Sequence, residues 1–334
     1  MHSIHTGKVF CFPVGQVKHQ AAHGRGCDVN STNRSGFAEA KRIAKESDVV
    51  IFAGGLDNTV EGEGYFIKGD RIGGTTDLPG VQNELINELA AANTNLVLVV
   101  ISGGPCAVHK VIKNVKGLLY AIYPGQEGGR ALADILCGRE NPSGKLPVTI
   151  PKNDGQLRPI STNFVGVVTN GIGYRWFDAQ KLKPEFAFGS GLSYSTYKYK
   201  NLRISPDKAP AGQEITVQVD ITNTGKRAGE EVAQLYLSTG DISPAVPMPV
   251  KQLKGFKKVA LQPGETKRVT FTLTSDDLYI FDADEGRYRV PTGSYTVRVG
   301  GASDRLPLKA GFTLTQLDNT IINFYYLTSL YCLQ

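Results

Sequence analysis

Three apolar runs, each followed by a glycine-rich loop, constrain the fold of the first half of this chain. They occupy residues 49–53, 96–101 and 118–123. An apolar run without polar alternation is typical of a strand that is buried on both faces of a sheet. Helical periodicity accompanies the runs, over 36–47 and from Pro79 onward. This alternation of strand, loop and helix predicts an α/β domain with a mainly parallel sheet.

Three further elements are predicted in this half. Residues 8–12 are apolar enough for a short strand, and a helix is expected after the second run, through His109 and Lys113. A last helix follows the third run. Its apolar stripe, which we expect to be buried, consists of Ala131, Leu132, Ile135 and Leu136.

From about Asn201 the apolar residues recur with a period of two instead of the helical period. The alternating residues are Ile215, Val217, Val219, Ile221, Ala233, Leu235, Leu237, Val269, Phe271, Leu273, Tyr295, Val297 and Val299. Turns rich in proline and glycine separate the alternating segments, for example at 263–264 and 291–293. Several short strands with such turns predict an immunoglobulin or fibronectin type III-like β-sandwich.

These patterns divide the chain into four segments. Residues 1–156 form the α/β domain, which is incomplete or divergent before about residue 26. Residues 157–197 are a linker rich in aromatic residues and glycine, and residues 198–316 are the fibronectin type III-like domain. Residues 317–334 are an atypical tail with an irregular apolar pattern. The predicted class is therefore α/β followed by all-β.

Composition excludes several classes of function. The net charge of +6 is spread over 334 residues without a long basic block, which argues against a nucleic-acid partner. No segment approaches about 20 apolar residues, so no membrane span is predicted. Five cysteines are scattered without a CxxC pair, which argues against a zinc ribbon and against a disulfide framework.

Neither a metal nor a nucleotide cofactor is expected. His19 and His23 have a spacing that binds metal on a helix, but Gln20 stands where a metalloprotease helix carries glutamate. We interpret them as solvated polar residues. Neither GxGxxG nor GxxxxGK[ST] occurs, and Pro105 removes a backbone N–H from the loop after the second run.

The loop after the first run, residues 54–71, carries most of the chemistry. A glycine-rich acidic loop at the carboxyl end of a buried strand is a common position for a ligand site. Its charged residues include Asp57, Glu61, Glu63, Asp70 and Arg71. Taken alone, this pattern favours solvated loop acids over catalytic groups. No comparable cluster occurs in the predicted sandwich.

A collinear series of motifs across about residues 26–315 resembles the carboxyl-terminal half of glycoside hydrolase family 3, the β-glucosidases and β-xylosidases. The motifs are Gly55-Leu56-Asp57-Asn58-Thr59, Glu61-Gly62-Glu63-Gly64, Asp70-Arg71, Leu78-Pro79-Gly80, Gln82, Ser102-Gly103-Gly104-Pro105, Tyr123-Pro124-Gly125-Gln126-Glu127-Gly128-Gly129, Asn141-Pro142-Ser143-Gly144-Lys145-Leu146-Pro147, Gly173-Tyr174-Arg175-Trp176-Phe177, Phe188-Gly189-Ser190-Gly191-Leu192-Ser193-Tyr194, Asn223-Thr224-Gly225 and Leu253-Lys254-Gly255-Phe256-Lys257-Lys258-Val259. Each motif is short, and it is their common order that is specific.

The resemblance implies roles for the loop acids. In this family a glutamate from a loop of the α/β sandwich domain is the general acid/base. The matching residue here is Glu63, with Glu61 as the alternative. The residues 66–69 are inserted before Asp70 and Arg71, which departs from the family's tightest pattern. Asp57, Asp70 and Arg71 are expected to support the catalytic groups or to anchor the loop, and a purely structural role is equally open for them.

The resemblance also implies a partner domain. The family's nucleophile is an aspartate on an amino-terminal barrel, and about 25 residues precede the first match here. We therefore expect the nucleophile to be absent from this chain, and the barrel to be supplied in cis or in trans.

The expected function is that of a fragment of a retaining exo-acting β-glycosidase, which hydrolyses terminal β-D-glucosyl or β-D-xylosyl residues of oligosaccharides or glycosides. As an isolated chain it is expected to be inactive. The alternative is a non-catalytic carbohydrate-binding or interaction remnant of such an enzyme.

The resemblance implies a secreted or lysosomal location. The first residues lack the basic start and apolar core of a signal peptide. Asn30 and Asn33 begin two adjacent glycosylation sequons, which have meaning only in the secretory pathway.

Overall fold

The computed structural model describes residues 8–12, 21–62, 74–158, 171–239, 242, 248–282 and 286–316. The chain forms two compact units. The first comprises Met1–Glu140, Val148–Pro159 and Lys183–Phe186, and the second comprises Asn141–Pro147, Ile160–Leu182 and Ala187–Gln334. The domain limits inferred from the sequence remain predictions.

The first unit is an α/β domain built on a five-stranded sheet. Its elements are β1 (Lys8–Phe12), β2 (Ala22–Arg25), α1 (Phe37–Lys45), β3 (Val49–Gly55), α2 (Gln82–Ala92), β4 (Leu96–Ile101), β5 (Gly117–Tyr120) and α3 (Gly128–Leu136). The strand order is β2-β1-β3-β4-β5. β3, β4 and β5 are parallel, whereas β1 is antiparallel to both of its neighbours. The predicted class is confirmed, with two antiparallel strands added at one edge.

The apolar runs pack on both faces of this sheet, as their composition predicts. Val50 and Phe52 belong to the main core, together with the buried stripes of α1 and α2. Ile51, Val99 and Ile101 lie in a second cluster that includes Leu132 and Leu136 of α3.

α3 is less buried than its pattern predicts. Ala131 is exposed, and Leu132, Ile135 and Leu136 are only half-buried. The expectation of a buried stripe is therefore wrong in degree. The reason is that, among the described residues, only Leu132 and Leu136 of the helix pack with the second cluster.

Two helix predictions need correction. The helix expected from Pro79 begins at Gln82, because Gly80 has a left-handed backbone (φ +58°) and cannot continue a helix. The helix expected through His109 and Lys113 is reduced to a short 3-10 helix at Ile112–Asn114. There the backbone N–H of Ala107 instead donates to the carbonyl of Thr76 over 2.8 Å, in an isolated parallel bridge.

The second unit contains a β-sandwich. Its elements are α4 (Gly173–Ala179), β6 (Tyr197–Ser205), β7 (Lys208–Pro210), β8 (Ile215–Asn223), β9 (Gly229–Ser238), β10 (Gln252–Leu261), β11 (Thr266–Leu273), α5 (Ser275–Leu278), β12 (Ile280–Asp282), β13 (Arg287–Arg289), β14 (Gly293–Gly300) and β15 (Leu308–Thr315). One sheet has the order β10-β9-β14-β15-β7 and the other β11-β8-β6. β12 and β13 form a separate hairpin.

The alternating residues of the second half form the core of this sandwich. Ile215, Val217, Val219 and Ile221 of β8 are completely buried, while the residues between them are half-buried. The Tyr295 hydroxyl donates to the carbonyl of Pro291 over 2.6 Å. A tyrosine that bonds the backbone a few residues upstream is a feature of immunoglobulin-like sandwiches.

Candidate functional site at the carboxyl edge of the parallel strands

The carboxyl ends of β3, β4 and β5 lie at one edge of the α/β sheet. Register pairs Gly55 with Ile101 and Val100 with Tyr120, so the three strands end nearly level. In open α/β sheets this edge is where loops bring side chains to a ligand. The loops after the three strands are therefore the first place to look for a site.

The end of β3 fits so closely against β4 that only glycine is accommodated. Gly55 has φ +135°, and a Cβ built there would lie 2.0 Å from the carbonyl oxygen of Ile101. The side chain of Gln82, which is fully buried, accepts from the Gly55 N–H over 2.8 Å and donates to the carbonyls of Gly55 and Val29, each over 2.9 Å. Gln82 thus satisfies three buried backbone groups and fixes the start of the loop.

The next residues form a turn that is anchored on both sides. Leu56 and Val60 are buried in the core. Between them the Asp57 carboxylate accepts from the N–H of Thr59 over 3.0 Å and from its hydroxyl over 2.5 Å. The carbonyl of Asp57 accepts from the N–H of Glu61 over 2.9 Å. Asp57 therefore closes the turn that delivers Glu61 to the sheet edge.

Glu61 joins all three loops. Its Oε2 accepts from the backbone N–H of Gly103 over 2.7 Å and from the hydroxyl of Tyr123 over 2.5 Å. A Cβ on Gly103 would lie 2.9 Å from that oxygen and 2.8 Å from the Tyr123 ring, so a larger residue would displace the contacts. Hydrogen bonds to a carboxylate are shorter and stronger than neutral ones. We call these three residues the Glu61 clamp.

Tyr123 is 51% exposed, while its hydroxyl contacts Glu61. The pKa of Tyr123 is raised to about 12. The largest cause is partial burial of the hydroxyl, and the hydrogen bond to Glu61 and the negative charge of Glu61 add to it. Tyr123 therefore remains a hydrogen-bond donor throughout the neutral range.

The residue before Tyr123 has an unusual backbone. Ile122 has φ +52°, in the left-handed region, which is a genuine outlier for a β-branched residue. Conformations of this kind cost about 1–3 kcal/mol and persist where surrounding structure enforces them, commonly at functional sites.

The residues predicted from the sequence are only partly within reach of the structure. Glu63, Asp70 and Arg71 lie outside the described residues. Glu61 and Asp57 lie at the sheet edge, where Asp57 holds the turn and Glu61 holds the loops together. Their proposed parts in chemistry remain predictions.

Three residues of the site were not singled out from the sequence: Gln82, Gly103 and Tyr123. They belong to motifs of the family series, yet their partners are 27, 42 and 62 residues away. For Gly103 and Tyr123 the available signal was a position in a loop just after a buried strand, and for Gln82 it was a polar residue at the start of a helix.

The described residues contain no cluster of three or more His, Cys, Asp or Glu side chains that could hold a metal ion. His23 lies on strand β2, and His19 lies outside the described residues. Among the helices described, none has the length and apolar character needed to cross a membrane.

Two protein-family models match the chain. The model for the glycosyl hydrolase family 3 C-terminal domain matches residues 6–194, and that for a fibronectin type III-like domain matches residues 231–303.

Curated relatives agree. A "Beta-xylosidase" of Formosa agariphila is 37% identical over 288 residues, which cover 86% of this chain and 38% of the relative. A "Probable beta-glucosidase L" of Aspergillus fumigatus is 36% identical over 316 residues, which cover 87% of this chain and 42% of the relative. The chain thus spans less than half the length of these curated relatives.

Solved structures show the same relationship. The family 3 β-glucosidase of Bifidobacterium adolescentis superposes with a TM-score of 0.75 at 36% identity, covering 84% of this chain and 41% of that protein. β-Glucosidase 3B of Thermotoga neapolitana gives a TM-score of 0.69 at 32% identity, with coverages of 84% and 39%. The chain therefore belongs to glycosyl hydrolase family 3 and contains that family's C-terminal domain followed by a fibronectin type III-like domain.

Proposed function

We propose that this chain carries the acid/base half of a retaining, exo-acting β-glycosidase active site. The substrates are terminal β-D-glucosyl or β-D-xylosyl residues of oligosaccharides and glycosides, and Glu63 is the general acid/base. The names of the relatives, β-glucosidases and β-xylosidases, support this class of substrate. A secreted or lysosomal place of action is part of the proposal.

The Glu61 clamp is the observation that carries the proposal. Glu61 lies at the sheet edge where α/β domains bind ligands, and its hydrogen bonds to Gly103 and Tyr123 join it to the loops after the two neighbouring strands, which supports a ligand site there. Oε2 of Glu61 acts as an acceptor in both contacts of the clamp. A general acid must instead hold a proton and donate it, which favours Glu63, two residues further on, over Glu61.

The chemistry requires two carboxyl groups about 5 Å apart. In the first step Glu63 gives its proton to the glycosidic oxygen while the nucleophile attacks the anomeric carbon and the aglycone leaves. In the second step Glu63, now a carboxylate, takes a proton from the water that attacks the glycosyl–enzyme ester. A second carboxylate nearby, such as Glu61, favours the protonated form of an acid that must stay protonated near neutral pH.

The nucleophile belongs to a barrel domain supplied in cis or in trans. General acid/base assistance by itself contributes on the order of 10²–10⁴-fold. Residues 1–334 alone are therefore expected not to hydrolyse aryl β-glucosides or β-xylosides. This expectation is checked directly with the purified chain.

The test of Glu63 joins this chain to the amino-terminal part of the Bifidobacterium adolescentis enzyme, where the resemblance expects the barrel; we call the product the joined protein. Glu63→Gln should lower kcat/KM about 10²–10⁴-fold for an alkyl glycoside, whose leaving group is poor. For a dinitrophenyl glycoside, whose leaving group needs no proton, kcat/KM should fall by at most about 10-fold. Glu127→Gln is the matched control, because Glu127 is exposed on the loop after β5.

Each other outcome has a defined meaning. Turnover by residues 1–334 alone that disappears in Glu63→Gln would show that the chain is a complete site. The leaving-group pattern in Glu61→Gln instead of Glu63→Gln would move the acid to Glu61. A folded joined protein that turns over neither substrate would favour the non-catalytic carbohydrate-binding or interaction module.

A further inference from the structure

We propose that Tyr123 and Gly103 are positioning residues for the general acid, and that they act through Glu61. This inference rests on the proposed function. It assigns a task to the loops after β4 and β5, which carry no acid of the predicted set. Neither residue is proposed to touch the substrate.

The clamp is built from donors of two different kinds that converge on one oxygen. Gly103 gives a backbone N–H over 2.7 Å, and Tyr123 gives a hydroxyl over 2.5 Å. Gly103 lies two residues after the end of β4 and Tyr123 three residues after the end of β5, and Val100 and Ile101 at the end of β4 are buried. The donors are therefore tied to the core, and the acceptor lies on the loop to be positioned.

The loop that carries Gly103 is itself held in place. The Ser102 side chain is buried, and its hydroxyl donates to the carbonyl of Gly104 over 2.8 Å. A Cβ at position 103 would meet both of the other clamp residues at under 3.0 Å, so a larger residue there would displace their side chains from the clamp. The backbone donor is thus exposed to Glu61 by the lack of a side chain.

The Tyr123 side of the clamp carries backbone strain. Ile122 adopts φ +52° directly after the hydrogen bond from the Ala121 N–H to the Val100 carbonyl, which is 2.8 Å long. A glycine at 122 would remove the steric cost of this conformation. An isoleucine kept in a left-handed conformation beside the tyrosine indicates that the direction of the chain is fixed there by its contacts.

Fixing Glu61 restricts Glu63 through the chain. Two residues of polypeptide span at most about 7 Å between Cα atoms. When Glu61 is held at the sheet edge, the Cα of Glu63 is therefore confined to within about 7 Å of the Glu61 Cα. An acid placed even about 1 Å away from its productive position can lose on the order of 10²-fold in rate. The clamp therefore bears on proton transfer more than on substrate affinity.

The test compares two tyrosines of neighbouring sequence. Tyr123→Phe removes the hydroxyl that contacts Glu61. Tyr120→Phe is the matched control, because the Tyr120 hydroxyl donates to the carbonyl of Cys106 over 2.7 Å instead. Both variants delete one oxygen from an aromatic side chain of the same segment.

In the joined protein, Tyr123→Phe should lower kcat/KM about 10-fold for alkyl glycosides, as expected for one lost hydrogen bond to a charged group. It should leave kcat/KM for dinitrophenyl glycosides nearly unchanged, because kcat/KM reports the first step and their leaving group needs no proton. Tyr120→Phe should not discriminate between the two substrates. A loss of stability alone would lower the rates for both substrates in proportion, so the ratio separates positioning from folding.

A second readout needs no activity. In residues 1–334, Tyr123→Phe should speed exchange of the Gly103 amide hydrogen about 10-fold, because its acceptor becomes less restrained. Glu61→Ala should speed this exchange further, and Glu61→Gln, which keeps an acceptor oxygen, should fall between Glu61→Ala and wild type. Tyr120→Phe should leave it unchanged.

The two proposals fail in different ways. If Glu63→Gln shows the leaving-group pattern while Tyr123→Phe and Tyr120→Phe behave alike in kinetics and exchange, the positioning role is wrong and the acid assignment stands. If Tyr123→Phe alters Gly103 exchange but Glu63→Gln lacks the pattern, the clamp exists and the acid is elsewhere, which overturns the proposed role of the clamp in catalysis.

Discussion

The two units of this chain use polar side chains in different ways. In the α/β unit the fully buried Gln82 fixes the end of β3, and the half-buried Glu61 joins three loops at the carboxyl edge of the sheet. In the sandwich unit Glu231, which is 5% exposed, accepts from the Lys145 ammonium over 3.0 Å and from the Tyr199 hydroxyl over 2.7 Å. The first set ends at an accessible edge, and the second set is enclosed.

The enclosed set serves the fold. Gln234, 3% exposed, donates to the carbonyls of Gly189 over 3.1 Å and Gly301 over 2.8 Å. Burial, and next the charge of Glu231, raises the pKa of Tyr199 well above its usual range. A buried carboxylate beside a group whose pKa is shifted is therefore not sufficient evidence of a catalytic group. The position of the group relative to the strand ends distinguishes the two cases.

The largest effect is expected at the edge of the α/β sheet. Gln82→Leu leaves three buried backbone groups without partners, so the free energy of unfolding should fall by about 4 kcal/mol. The measurement is chemical denaturation followed by amide exchange in β3 and β4. Gln126→Leu, at an exposed loop position, should stay within about 0.5 kcal/mol of wild type. Equal effects would show that the strand end does not depend on Gln82.

The corresponding change in the sandwich should cost slightly less. Lys145→Met leaves the buried Glu231 carboxylate without its cation, at a cost of about 3 kcal/mol. The double variant Lys145→Met/Glu231→Leu should recover most of this loss, because no charge remains buried. Exchange in β8 and β9 reports the change. A double variant no better than the single one would contradict the assignment of the pair to folding.

Ile122, the residue before Tyr123, has a left-handed backbone, and its replacement can be compared with the same replacement at a left-handed residue of the second unit. Ile122→Asn should raise the stability of the α/β unit by about 1 kcal/mol, since asparagine tolerates φ +52° better than isoleucine. Lys181→Asn, at φ +54° in the second unit, is the matched control for the conformation. In the joined protein both variants should leave kcat/KM for alkyl glycosides unchanged, because asparagine favours the left-handed backbone that directs Tyr123 towards Glu61. A loss of activity confined to Ile122→Asn would show that the isoleucine side chain itself, and not the backbone direction alone, serves the site.

The smallest effect concerns acid stability. Hydrogen bonds from Arg268 and Asn201 lower the pKa of Asp220 below its ordinary 3.8. Because the folded-state pKa is the lower one, this carboxylate stabilises the fold above about pH 4 and loses its contribution as the pH falls through the folded-state value. Asp220→Asn should cost below about 1 kcal/mol at pH 6, and the difference from wild type should shrink towards pH 2. A difference that grows on acidification would contradict the sign.

Periodicity was sufficient to predict most of the core. The continuous apolar run of β4 predicts a strand that is buried on both faces, as in a parallel sheet. The alternation of β8 predicts a strand that is buried on one face, as in a sandwich. The pattern failed where tertiary contacts replaced local ones. Ala107 pairs with the backbone near Thr76, and the left-handed Gly80 delays the start of α2.

The candidate site was predictable only in part. A glycine-rich acidic loop after a buried strand marks the position, and the family series names the acids. The clamp was not predictable, because its three members come from separate loops and meet only when β3, β4 and β5 align. The strain at Ile122 likewise leaves no signal in composition or spacing.

The most direct test of the central claim is azide rescue in the joined protein. Azide attacks the anomeric carbon of the glycosyl–enzyme ester and expels the nucleophile's carboxylate without needing a general base. With Glu63→Ala, azide should accelerate turnover of a dinitrophenyl glycoside and give the β-glycosyl azide, whereas with Glu61→Ala it should not. Formation of the β-glycosyl azide by Glu61→Ala, and not by Glu63→Ala, would contradict the account.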